Sequence, residues 1–248
     1  MEYNNKQMNN NVRELFPSLW ANEEELARAT SSCLSRVFIR MFAALIVTAA
    51  TAFAVANSPA MLELIFGNTV VLIVLIVVEL ALVIGVSAGV NKVSPIVANL
   101  LFFAYAIVNG LTLSVVFLVY EIGLVYRAFA VAALMFAGMA VYGTITRRNL
   151  VSIGSYCLMG LFGLIIAGVV NIFFRSDMLD AILCYAGVLI FVGLTAYDTQ
   201  MIKKSLQDAN YDSHEIAIKR ISVIGALRLY LDFINLFLRI IRILGRKR

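Results

Sequence analysis

The chain has 248 residues, 62% of them hydrophobic and 14% charged, with a formal net charge of +5. A soluble domain of this length would carry about a quarter of its residues as Asp, Glu, Lys or Arg, so the composition argues against a soluble fold. The scattered basic residues come with no base-stacking platform, which argues against a nucleic-acid partner, and the apolar runs are continuous rather than alternating, which argues against a β-barrel.

Residues 1–36 are rich in Asn, Glu and Arg and read as a cytosolic N-terminal tail with one short helix near 22–29. No short apolar core precedes a small-residue cleavage site there, so the first span is expected to do the targeting. About seven stretches of spanning length follow, at 37–57, 69–89, 95–120, 127–146, 151–174, 180–201 and 221–241. The expected fold is an all-α polytopic membrane protein: one seven-helix transmembrane domain over 37–241, then a basic C-terminal tail, 242–248. Apart from the polar stretch 203–220 the connections are short, which favours antiparallel neighbours in sequence order.

Positive charge orients the bundle. With the N-terminus in the cytosol, that side holds twelve cations: Lys6, Arg13, Arg28, Arg36, Arg40, Lys92, Arg147, Arg148, Lys203, Lys204, Lys219 and Arg220. The far side holds Arg127 and Arg175. The last segment is long enough to cross fully, although re-entry would keep its basic end inside with the other cations. It is also the most polar span, with Arg228, Asp232, Asn235 and Arg239 among Leu, Ile and Phe. Such a helix is expected to be surrounded by the other six rather than by lipid. The terminal Arg246-Lys-Arg248 suits contact with anionic lipid.

The three cysteines, Cys33, Cys157 and Cys184, show no paired spacing and read as small apolar filler. Glycines 154, 160, 163, 168, 187 and 193 would let the fifth and sixth helices approach neighbours closely. Asn99 and Asn109 suit interhelical hydrogen bonds. His214, the single histidine, falls in the polar loop, away from any haem or zinc chemistry in the bundle. No nucleophile–base set and no phosphate loop appears, so neither an enzyme nor a resident cofactor is expected.

Two acids inside apolar runs carry the functional argument: Asp198 in Gly193-Leu-Thr-Ala-Tyr-Asp-Thr-Gln200, and Asp232 in Leu229-Tyr-Leu-Asp-Phe-Ile-Asn235. A carboxylate in hydrocarbon is costly and faces a cavity, a partner or an ion path. At ~1.5 Å per residue Asp232 lies ~16 Å from Ile221, near mid-membrane, while Asp198 is only ~7–8 Å before Lys203. Tilt or a later helix start would bring them level. Should they meet, their protons would belong to the pair, and the site could receive Ca²⁺, which prefers oxygen ligands. The competing structural roles are an ion pair of Arg228 with Asp232, one helical turn away, and of Lys203 with Asp198. Glu79, inside the second span, is a third intramembrane acid and a candidate contributor.

Four stretches resemble the transmembrane Bax inhibitor motif family in its bacterial form. They are Tyr105-Ala-Ile-Val-Asn-Gly-Leu-Thr-Leu-Ser114, Tyr142-Gly-Thr-Ile-Thr-Arg-Arg-Asn-Leu150, the run from Gly187 to Gln200 and the run from Gly225 to Phe237. The N-terminal 30 residues lie outside the likeness. The resemblance implies seven helices with the seventh in the centre, and a pH-sensitive calcium leak gated by an aspartate pair, here Asp198 and Asp232. It also points to Glu79 as the second-helix acid. This chain departs from the family pattern twice. The second-helix arginine that steadies the aspartates has Lys92 as its nearest cation, and Arg228 stands where a small polar residue is expected, positioned to hold Asp232 ionised.

The leading expectation is a passive, proton-gated Ca²⁺ leak in the bacterial inner membrane. Its partners would be lipid, protons and transiently bound Ca²⁺ at Asp198 and Asp232. The alternative is a modulator of a membrane-anchored AAA+ protease with no transport activity, for which the polar N-terminal tail would be the handle. Deleting residues 2–30 would abolish that role, whereas the aspartate substitutions would not. A secondary transporter is disfavoured by the lack of an internal repeat.

Overall fold

The computed structural model describes residues 17–89, 94–211 and 215–246. Among them there are helices and no strands: α1 (Pro17–Ala56), α2 (Pro59–Phe66), α3 (Thr69–Gly89), α4 (Pro95–Leu113), α5 (Val115–Val119), α6 (Ile122–Ile145), α7 (Val151–Phe174), α8 (Asp177–Tyr211) and α9 (Glu215–Gly245). Seven spans are long and apolar enough to cross a membrane, with α4 and α5 forming one of them.

The expected spans are all present, and three are longer than their apolar cores. α1 begins at Pro17 rather than residue 37. Residues 18–58 contain neither Gly nor Pro, so a helix nucleated by the apolar part meets no breaker on its N-terminal side. The same holds for α8 and α9, which extend past Met201 and start before Ile221 through polar helix formers. α2 is a short helix the hydropathy pattern did not announce, started by Pro59 at its first turn. Ser94 caps α4 by accepting from the Val97 amide at 3.3 Å. α7 ends on Arg175 in a left-handed conformation, φ 50°. There the Asn171 side chain accepts from the Ser176 amide at 3.0 Å and closes the turn into α8.

The helices differ sharply in what surrounds them. The apolar cores of α3 and α7 are each 6% buried, as lipid-facing helices should be, while that of α9 is 67% buried. α9 packs against α1, α4, α6 and α8, whereas α3 packs on α4 and α7 on α8. Its buried face includes Val223, Leu227, Phe233, Leu236 and Ile241. α9 is also one continuous helix antiparallel to α8, with no re-entrant turn.

Among the glycines expected to seat helices, Gly163 and Gly168 meet nothing within 4 Å among the described residues. The closest approach is elsewhere, at Gly143, where a Cβ would fall 2.3 Å from the Ala196 carbonyl oxygen and so would push α6 off α8. Backbone cannot yield as a side-chain tip can, so Gly143→Ala is expected to destabilise the protein by about 1–3 kcal/mol. Thermal unfolding in detergent micelles would measure it; an unchanged midpoint would show that α6 and α8 separate freely.

Candidate functional site

α9 presents a polar stripe to α8. Arg228, Asp232, Asn235, Arg239, Arg242 and Arg246 follow one another at alternating four- and three-residue steps, which places them along one side of a helix. At one end Arg242 reaches Asp180 at 3.4 Å and Arg246 reaches the same carboxylate at 3.4 Å. Arg246 also bonds the Asp177 carbonyl. Arg246, expected among lipid headgroups, is therefore ion-paired within the protein, and the first turn of α8 supplies the anions, where the helix dipole favours them. Further in, the Arg239 side chain lies against Gly187, where a Cβ would stand 3.0 Å from it.

The stripe meets α8 again at Asp198. The Asp198 and Asp232 carboxyl groups lie close enough for each to feel the other's charge. Asp232 is 5% exposed, and its Oδ2 finds no hydrogen-bond partner among the described residues. Arg228 Nη1 lies 3.8 Å from Asp198 Oδ1, with the arginine side chain 54% exposed and the aspartate 14%. The intrahelical pairing of Arg228 with Asp232 is thus replaced by a pairing across the hairpin. Lys203 does not serve Asp198; its ammonium donates to the Thr144 carbonyl at the end of α6, at 2.8 Å. The threonines that flank Asp198 in sequence do not serve it either. Thr195 donates to the Phe191 carbonyl at 2.8 Å and Thr199 to the Thr195 carbonyl at 2.7 Å.

Arg228 also borders a recess that neither aspartate lines. It lies between α8 and α9 and is lined by Met201, Ile202, Ser205, Ile221, Ile224 and Arg228. Neutrality is reached when two carboxyl groups and one guanidinium carry a single extra proton between them. Without that proton the trio holds one net negative charge, which a proton or a metal cation can cancel.

Glu79 is half-buried in α3 and stands apart from this pair. Its carboxylate accepts from the Thr112 hydroxyl at 2.6 Å and faces the Asn109 carboxamide. Asn109 makes the interhelical bond expected of it, accepting from Tyr230 of α9 at 3.1 Å. Asn99 does not, and its buried Oδ1 has no partner among the described residues. All three cysteines are free, and no group of three His, Cys, Asp or Glu side chains able to hold a metal occurs among the described residues. His214 and Lys92 lie outside the described residues.

Gln200 is the residue that spacing arguments passed over. Its Oε1 accepts from the Leu150 amide at 2.9 Å and its Nε2 donates to the Arg148 carbonyl at 2.8 Å, so it fastens the α6–α7 turn to α8 two residues from Asp198. A buried glutamine inside an apolar run was the available signal. Gln200→Leu would leave the buried Leu150 amide without that acceptor, at about 1–3 kcal/mol. The expected result is a lower unfolding midpoint with the helical content unchanged, measured by circular dichroism.

Seven spanning helices of this composition define an integral, polytopic α-helical membrane protein. The family model described as "Inhibitor of apoptosis-promoting Bax1" matches residues 30–248, and the chain belongs to that Bax inhibitor family. The chain is 43% identical over 216 residues to the Inner membrane protein YbhL of Escherichia coli strain K12, an alignment that covers 87% of this chain and 92% of YbhL. It is 41% identical over 215 residues to a protein of Borreliella burgdorferi, with 87% and 92% covered. To a protein of Deinococcus radiodurans it is 36% identical over 211 residues, with 85% and 88% covered.

Proposed function

We propose that this protein is a passive, pH-sensitive Ca²⁺ leak, with Asp198 and Asp232 as the proton-sensing gate and α9 as the central helix that moves. The observation that supports the reading is that two acids on adjacent spanning helices lie close enough to interact, one of them with an oxygen that has no hydrogen-bond partner among the described residues. With one proton between them, the pair bridges α8 to α9 and the Arg228–Asp198 contact reinforces the bridge: the path is closed. A second proton removes the anion that Arg228 faces and the carboxylate that accepts within the pair. α9 is then held less firmly, and flux rises as pH falls. Ca²⁺ is cargo here, met transiently by the two carboxylates, and no catalytic step or resident cofactor is assigned.

The proposed location is the inner membrane, as the name of YbhL states for that relative, with the N-terminus in the cytosol on the side richer in Lys and Arg. The recess at Ser205 and Arg228 is then the cytosolic mouth. The test is Ca²⁺ entry into proteoliposomes holding the purified protein, followed across about pH 6 to 8. The reading requires flux above protein-free vesicles and a rise toward acid pH; a pH-independent rate, or none, overturns it.

A further inference from the structure

Asp232 is not the only polar anchor of α9. Tyr230, two residues earlier and so turned to roughly the opposite side of the helix, is wholly buried. Its hydroxyl donates to Asn109 Oδ1 of α4 at 3.1 Å and meets the Thr48 hydroxyl of α1 at 2.7 Å. Its ring is boxed edge-on by Phe102 and Tyr105, each with centroids 5.7 Å away. The acceptor is itself held in place. The Asn109 amide reaches the Tyr105 hydroxyl at 3.5 Å, its other neighbour is the Glu79 carboxylate, and Thr112 ties the Asn109 carbonyl to that carboxylate. One hydroxyl on α9 thus fastens it to two neighbouring helices.

Beside this clasp lies a cavity of about 80 Å³, with Thr48, Ala49 and Ala52 of α1 on one wall and Phe233, Ile234 and Phe237 of α9 on another. Thr48 is the one polar residue in an otherwise apolar lining, and its single hydroxyl proton is shared among the Ala44 and Ala106 carbonyls and Tyr230. An apolar lining of this kind gives water few partners. The space is partly open at Ala49 and Phe129, which are exposed, and it adjoins the helix that the proposed gate needs to shift.

We propose that Tyr230 is the positioning residue of α9: its hydroxyl clasps the helix to α1 and α4 in the closed state, and release lets the Phe233–Phe237 face settle into the cavity. This rests on the reading of α9 as the gate. It deepens that reading by naming what holds the helix on the side away from the aspartates and where the helix goes. Losing the hydroxyl removes its bonds to both Asn109 and Thr48, and a net loss of ~1.4 kcal/mol for the two together raises the released population about tenfold.

The test uses the full chain in liposomes, with spin labels on Arg36→Cys of α1 and Lys219→Cys of α9 after the native cysteines are changed to alanine. Pulsed electron resonance then reads the distance between the two helices. The parent should give one dominant distance, and Tyr230→Phe should add a second with about tenfold greater weight than in the parent. Ala52→Leu, which fills the cavity, should suppress that second distance in the Tyr230→Phe background, and Ala49→Leu should do the same where Ala52→Leu fails to fold. An unchanged distribution in Tyr230→Phe, or a second distance that survives cavity filling, overturns the proposal. Flux separates the two ideas. Expected distances with no Ca²⁺ entry in any variant would sink the leak and leave the clasp standing. Under both ideas Tyr230→Phe raises flux at the alkaline end and matches the parent at the acid end, a pattern that simple misfolding does not produce.

Discussion

The double variant Asp198→Asn/Asp232→Asn is expected to conduct Ca²⁺ at a rate that no longer depends on pH, close to the rate the parent reaches at acid pH. An asparagine amide is near in shape to a protonated carboxyl, cannot ionise, and gives Arg228 no anion to face. Both ties between α8 and α9 at this level are therefore lost together. A single titrating site changes its occupancy by at most about tenfold per pH unit, so the parent's flux should vary by up to about tenfold for each unit crossed. The double variant should stay level within about twofold over the same range. Proteoliposome flux at several pH values reads the difference directly. A variant that follows the parent's profile at every pH would remove the aspartates from the gate, whatever their proximity in the fold.

Each part of this site differs in how far it could be read from the residues alone. The two aspartates were legible because a carboxylate in an apolar run has few structural excuses, whereas the pairing of α8 with α9 was not, since the polar stretch 203–220 between their apolar runs is the one long connection. Their levels did not agree when measured along the apolar runs. The hairpin extends beyond those runs, with α8 continuing to Tyr211 and α9 starting at Glu215, so hydropathy boundaries were a poor ruler for register. Arg228 was assigned to Asp232 by one-turn spacing, yet it meets Asp198. Spacing within a helix identifies intrahelical neighbours and is silent about a cation that reaches across to the next helix. Thr48 and Tyr230 gave no signal at all. Threonine and tyrosine are common in spanning helices, and their pairing is 182 positions apart in sequence. The N-terminal part of α1 was legible only as a short helix near 22–29, for the converse reason: polar residues without Gly or Pro read as tail to a hydropathy scale and continue a helix once one has begun.

Removing the guanidinium supplies the sharper test of the charge arrangement. In Arg228→Gln the length and much of the polarity of the side chain remain, but nothing offsets the negative charge of the carboxyl pair. A nearby cation favours the ionised form of a carboxylate, so without it the second proton binds more readily and release of α9 begins at less acidic pH. Flux should therefore reach half its maximum at higher pH than in the parent. The displacement should be modest, about half to one pH unit, because the arginine side chain is 54% exposed and 3.8 Å from its partner, and solvent screens such a pair. Arg228→Lys keeps the charge and should restore most of the parent's profile, whereas a role for Arg228 in packing alone would leave the lysine variant as altered as the glutamine one. High salt should shift the parent towards the glutamine variant and leave that variant nearly unmoved, since screening can only weaken an attraction that is present. A shift of the glutamine profile toward acid pH would mean that Arg228 opposes the carboxylates' negative charge in no functional state, and the closed state would need a different tie between α8 and α9.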